Sequence, residues 1–158
     1  MKLLRVGKLG SEIVAALDGN NVIRDLSDHI KDLNPQTINE ETFNKLKKLK
    51  LSKLKEIKSN IRIGACISNP VDFLAIGLNY KAHAEGTKSK LPTEPIVFNK
   101  SSGCIQGPND QIVKPKSANK MDYEVEIGMI IGREGKYIKE ENAQDYVFGY
   151  CIVNDISE

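Results

Sequence analysis

The sequence predicts an α+β chain, mostly β, with a small N-terminal β/α domain over residues 1–68 and a second, strand-rich region over residues 71–158. Three observations carry this. Apolar runs of strand length recur between Gly, Asn, Asp and Pro turn residues. A single lysine- and leucine-rich stretch near residue 45 reads as helical. Finally, composition changes at Asn69-Pro70, where the residue before proline is pushed out of helical geometry.

In chain order, KLLRVGKL and SEIVAALD read as two short strands turning at Gly10-Ser11. Asp18-Gly19-Asn20-Asn21 is a turn signal, because Gly and Asn tolerate positive φ, and VIRDL follows as a third strand. Thr42 to Lys50 is the predicted helix, with Asn39 and Thr42 as candidate N-caps. FLAIGLNY, the buried-strand signature Ile96-Val97-Phe98, DQIVKP, MDYEVEIGMIIG and VFGYCIVN read as further strands, and EENAQDY as helical. No internal repeat or low-complexity segment is found.

With 158 residues, 40% hydrophobic and 28% charged, the chain has the composition of a globular protein able to bury a core. No apolar run reaches membrane-spanning length and the N-terminus carries no signal-peptide pattern, so a cytoplasmic location is expected. Cys66, Cys104 and Cys151 are isolated and lack zinc-site spacing; they are read as reduced, buried core residues. Net charge is only +2, which gives no global basic field for nucleic acid. Seven lysines do cluster from Lys45 to Lys58, a run able to contact phosphate or anionic lipid. Leu46, Leu49, Leu51, Leu54 and Ile57 are interleaved with them, which favours a solvated face covering a core.

Candidate chemistry starts at Asp122-Tyr-Glu-Val-Glu-Ile-Gly128. In a strand, Glu124 and Glu126 point to the same face, spaced roughly 6.5 Å apart. Tyr123, Val125, Ile127, Met129 and Ile131 take the other face and are expected to pack on a core. Spacing alone leaves two readings, a solvent-facing strand, which it favours, or half of a metal site. Asp155, at the end of an apolar run, adds a third carboxylate; three carboxylates without a nearby Cys suit Mg²⁺, Mn²⁺ or Ca²⁺, while Asn154-Asp155 also fits a turn. His83, just after an apolar strand, is a candidate general base with Glu85 two residues on and Tyr80 three before. On a helix His83 and Glu85 diverge, so a dyad there needs an irregular turn. His29 reads as an exposed histidine without a ligand pattern.

GLNYKAHAEG, LPTEPIVFNK, DYEVEIGMIIG and DYVFGYCIVNDISE, in this order, resemble the fumarylacetoacetate hydrolase family, more closely its small bacterial members labelled ureidoglycolate lyase or 2-hydroxyhepta-2,4-diene-1,7-dioate isomerase. The likeness runs from about Phe73 to Glu158. It implies a mixed β-sandwich roll, usually dimeric or of higher homo-oligomeric order, and a divalent metal, Mg²⁺ first and Mn²⁺ or Ca²⁺ otherwise. Carried over by motif, the metal ligands fall on Glu124, Glu126 and Asp155, the general base on His83, and the substrate-binding residues on Lys100, of the F-x-K motif, and Tyr80, of the N-Y pair. The family commonly has a glutamate three residues after the histidine; here that position is Gly86, and Glu85 is the candidate partner.

The resemblance implies catabolic hydrolysis, lyase, decarboxylase or isomerase chemistry on a small 2-oxo or 2-hydroxy acid, ureidoglycolate lyase-like in the finest reading, with neither nucleic acid nor membrane as partner. It also implies a catalytic domain continuing past N-D-I-S-E, so a C-terminally truncated roll is expected here. The competing expectation is an inactive fragment that serves as an oligomeric or interaction module.

Overall fold

A computed structural model describes residues 1–86 and 88–158. They form two compact units, Met1–Ser68 together with Gln106–Glu158, and Asn69–Ile105.

In the first unit, β1 (Lys2–Val6), β2 (Ile13–Leu17) and β3 (Ile23–Asp25) make an antiparallel sheet in the order β1-β2-β3. Its central strand, IVAAL, is apolar at every position because both faces are covered. Val14 and Ala16 pack with Leu26, Ile30, Leu33, Ile38 and Leu46, while Ala15 joins Val6 and Ile23 on the other side. The predicted turns hold: Gly10 has φ 76° between β1 and β2, and Asn21 has φ 60° before β3. The Asp18 carboxylate closes that second turn by accepting from the N–H groups of Asn20 and Val22 at 2.9 and 3.0 Å.

Helix α1 (Glu40–Lys47) begins two residues earlier than the sequence predicts, because Asn39 takes the cap by accepting from the Thr42 N–H at 2.9 Å. Acidic residues in its first turn and lysines in its last match the helix dipole. Leu46 is fully buried, with Leu49, Leu51 and Leu54 packed on the same cluster, and the seven lysines from Lys45 to Lys58 are exposed. His29 is half-buried rather than exposed, and its carbonyl accepts from Lys45 Nζ.

Strands β4 (Leu74–Gly77) and β5 (Ile96–Asn99) lie in the second unit. Strands β6 (Val125–Ile131) and β7 (Val147–Asn154) form an antiparallel ribbon in the first unit. Its register runs unbroken from the Asp122↔Ser157 bridge to Ile130↔Gly149 and slips at Ile131. Ile130 and Phe148 pack on the α1 cluster, where Phe148 meets Phe43 edge-on at 5.7 Å between ring centroids. EENAQDY, expected to be helical, forms the 3₁₀ segment Glu140–Tyr146.

Three expectations are corrected. The face expected to pack on a core is exposed: Tyr123 by 72%, Ile127 by 70%, with Val125, Met129 and Ile131 alike, and Ile152 across from Ile127 is 84% exposed. A two-stranded ribbon covered on one side leaves its other side bare. Residues 111–115 of DQIVKP form no ladder, so no strand exists there. Cys104 is exposed, and Cys66 and Cys151 are half-buried rather than core.

In the second unit, β4 (Leu74–Gly77) pairs antiparallel with β5 (Ile96–Asn99), and α2 (Lys81–Gly86) lies between them in sequence. Strand β5, expected to be buried, is exposed along its length. No helix among the described residues is long and apolar enough to cross a membrane.

Candidate functional site

The ribbon register positions the acids. Val125 pairs with Asn154 and Glu126 with Val153, so Glu124 stands opposite Asp155. The Asp155 N–H donates to the Glu124 carbonyl at 2.8 Å, which continues the ladder one step beyond the strand ends. Side chains directly opposite in an antiparallel pair share a face, and residues two apart on a strand share it too. Glu124, Glu126 and Asp155 therefore occupy one face, and all three are half-buried while the opposite face is exposed. Like charges directly opposite each other in a ladder are destabilising, so this arrangement favours a cation. The donor set, three carboxylates without sulfur, matches a hard divalent ion in chemistry. Among the described residues no three His, Cys, Asp or Glu side chains converge closely enough to hold a metal as they stand. Binding thus requires these carboxylates to turn toward a common point, a change of side-chain rotamer on a fixed backbone.

The remaining candidates lie in the second unit. Tyr80 precedes α2, and its carbonyl accepts from the Ala84 N–H at 3.1 Å. His83 and Glu85 both sit on α2, where a two-residue step turns the side chain by roughly 200°. The structure therefore directs them apart, and the Glu85 carboxylate lies 3.8 Å from Lys81 Nζ, an i,i+4 pair on the exposed side. Lys100 directly follows β5, and its N–H donates to the Phe73 carbonyl at 2.7 Å, fixing where its side chain leaves the ribbon.

One feature of this region was missed by sequence reasoning. Leu78 adopts φ 49°, a left-handed conformation that is strained for a leucine, in the turn that leads from β4 to Tyr80 and α2. Nothing in the composition of GLNY signals it. A network of charges was missed too. Arg5 is buried and bonds Asp32 at 2.6 and 3.2 Å, and Glu12 bridges Arg5 and Arg62. Arg62 then forks onto both Asp110 oxygens at 2.8 and 2.6 Å. The Arg62 hydrogen bond holds the Asp110 carboxyl below its ordinary range, against the opposing effect of burial. This network joins residues 5–62 to residue 110, and its partners lie too far apart in sequence for spacing to expose them.

Residues 72–158 match the family model described as fumarylacetoacetate (FAA) hydrolase C-terminal. A "Putative hydrolase" of Burkholderia ambifaria is 44% identical over all 158 residues, which span 56% of its length. A probable 2-hydroxyhepta-2,4-diene-1,7-dioate isomerase of Mycobacterium abscessus is 28% identical, with a TM-score of 0.71 over 99% of this chain and 52% of its own. Maleylpyruvate hydrolase from Sphingobium sp. SYK-6, solved with manganese(II) and pyruvate, superposes with a TM-score of 0.77 at 21% identity, covering 99% of this chain and 58% of its own. The chain thus spans little more than half the length of the proteins it matches, and its small sheets are part of the mixed β roll they share. On the match across residues 72–158, this chain belongs to the fumarylacetoacetate hydrolase family, a family of enzymes.

Proposed function

We propose that this chain carries the metal-binding carboxylates of a divalent-metal-dependent enzyme that acts on a small 2-oxo or 2-hydroxy acid, with ureidoglycolate lyase-like cleavage as the finer reading. The observation that supports it is the pairing of Glu124 with Asp155 on the face that Glu126 shares. When bound, a divalent cation supplies Lewis acidity toward the oxo-acid end of the substrate and offsets charge that develops there. Manganese(II) is a natural first ion to test, since the Sphingobium maleylpyruvate hydrolase was solved in complex with manganese(II) and pyruvate; Mg²⁺ is the second.

In this reading His83 moves the proton at the bond being cleaved, and Lys100 and Tyr80 bind the substrate, its carboxylate falling to the lysine. Glu85, drawn toward Lys81 on the exposed side of α2, fits poorly as the histidine's partner, so His83 works without it. Calorimetry with Mn²⁺ and Mg²⁺ tests the ligand set: equal affinity for the native chain and the Glu126→Ala variant removes it. Assays against oxaloacetate, an acylpyruvate and ureidoglycolate then discriminate between reactions.

A second reading draws on the exposed apolar face of the β6–β7 ribbon. The chain then acts as an interaction module without turnover. Full turnover by the purified 158-residue chain, of verified mass, rejects it.

A further inference from the structure

Strand β4 alternates large and small residues. Leu74 and Ile76 take one face of the β4–β5 ribbon, and Ala75 and Gly77 the other, because successive strand side chains point to opposite faces. The register sets Ala75 opposite Phe98 and Gly77 opposite Ile96, so on that face the two large side chains of β5 meet the two small residues of β4. A Cβ at Gly77 would fall 3.4 Å from Phe98 Cε1 and 3.4 Å from Ile96 Cγ2, so the ring edge and the isoleucine close over the side of the glycine that a larger residue would fill. Directly after Gly77 the chain turns through the left-handed Leu78 toward Tyr80 and α2.

Lys100 completes the group. The bond from its N–H to the Phe73 carbonyl extends the ladder one step, which puts Lys100 opposite Phe73 on the face that Phe98 occupies. Lys100 is half-buried, and its Nζ lies over the Phe98 ring, 5.2 Å from the centroid. At that distance the negative face of the ring attracts the ammonium.

We propose that Phe98 is the positioning residue for Lys100: its ring, seated on Gly77, holds the ammonium in place, so that a substrate carboxylate meets a lysine side chain that is already ordered. The inference rests on Lys100 as the partner of the substrate's carboxylate, the role proposed for it above. Ordering a long lysine side chain is entropically costly, and a contact that meets this cost before the ligand arrives raises affinity without touching the ligand. The ammonium carries three N–H donors, so a ring on one side does not prevent a carboxylate from bonding on another. Phe98 acts only through the lysine; its loss should weaken carboxylate binding and leave the binding of a metal at Glu124, Glu126 and Asp155 unchanged.

The experiment uses the 158-residue chain, carbon-13 labelled at lysine, with the Lys100 Cε–H signal identified by its loss in Lys100→Gln. In the native chain that signal should lie upfield of the other lysines, shifted by the ring current of Phe98, and should return to the ordinary lysine position in Phe98→Leu. Pyruvate affinity in saturating Mn²⁺, measured by calorimetry, should fall by roughly twofold to fivefold in Phe98→Leu, the worth of an exposed cation–π contact, with Mn²⁺ affinity itself unchanged. Phe98→Tyr keeps the ring and should retain both the shift and the pyruvate affinity. A native Lys100 signal at the ordinary lysine position overturns the proposal, a result that does not depend on how the variants fold. So does a shift that survives in Phe98→Leu, or equal pyruvate affinity in the native chain and Phe98→Leu while Lys100→Gln binds more weakly; these outcomes leave the lysine's own role standing. Equal pyruvate affinity in the native chain and Lys100→Gln, or no pyruvate binding by the native chain, removes the lysine's role and the proposal together.

Discussion

The main-chain N–H of Asp155 bonds the carbonyl of Glu124 at 2.8 Å, so two acidic side chains leave the β6–β7 ladder side by side. If they serve a cation, Asp155→Asn and Glu126→Ala should each weaken Mn²⁺ binding by roughly tenfold or more, since loss of an outer hydrogen-bond partner alone costs about that much at a metal site. For Glu126→Ala, partial relief of like-charge repulsion should leave the metal-free melting temperature unchanged or raised. Calorimetry and thermal melts of the same variants check both halves; a lowered melting temperature with unaltered binding would assign these acids to the fold alone.

His83 provides an independent test of the proposed chemistry. His83→Ala should lower turnover by about 10²- to 10⁴-fold, the usual worth of a positioned general base, with Mn²⁺ affinity preserved. Glu85→Gln should change turnover little, because its carboxylate lies near Lys81. Steady-state rates and metal titrations on both variants separate these outcomes.

Gly128 makes room for a sulfur. Gly128→Ala should destabilise the first unit by about 1–3 kcal/mol, the usual cost of overpacking. Combined with Cys151→Ala, it should cost less than the sum of the two single changes, because the added methyl then meets no sulfur. Denaturant melts of the four proteins complete the cycle, and strict additivity would show that the contact with Cys151 is not what excludes a side chain.

Asp110 should set part of the acid sensitivity. Its folded pKa is depressed, first by the Arg62 hydrogen bond, so its stabilising contribution is present above the unfolded value, about 3.9, and is lost as pH falls through the lower folded value. Asp110→Asn should therefore melt earlier at neutral pH and lose less stability on acidification than the native chain. Melting temperature measured from neutral to strongly acidic pH checks the sign.

The bare face of the ribbon predicts association. Replacing Ile127 and Ile152 with threonine should reduce concentration-dependent self-association while changing stability by no more than about 0.5 kcal/mol each, since both side chains are largely exposed. Sedimentation at several concentrations, alongside denaturant melts, measures the two effects separately.

Much of the local structure was legible in the chain. The turns at Gly10 and Asn21, the cap at Asn39 and the alternation of leucine with lysine after Leu46 act over a few residues, and there the sequence and the fold agree. The order of the motifs around His83, Lys100, Glu124 and Asp155 carried the family. Where the expectations erred, the cause was long-range. An apolar face such as Val125, Ile127 and Met129 calls for a cover, but a strand does not encode whether the chain supplies one.

By itself, then, the sequence determined most of the elements, their order and the family, and it singled out Glu124, Glu126 and Asp155 as candidates, because these rest on periodicity, turn chemistry and motif. Only the tertiary structure decided that Asp155 stands opposite Glu124 and that Arg62 grips Asp110. Each pairing joins residues tens of positions apart, and strand register and packing, which no local window of sequence contains, are what bring them together.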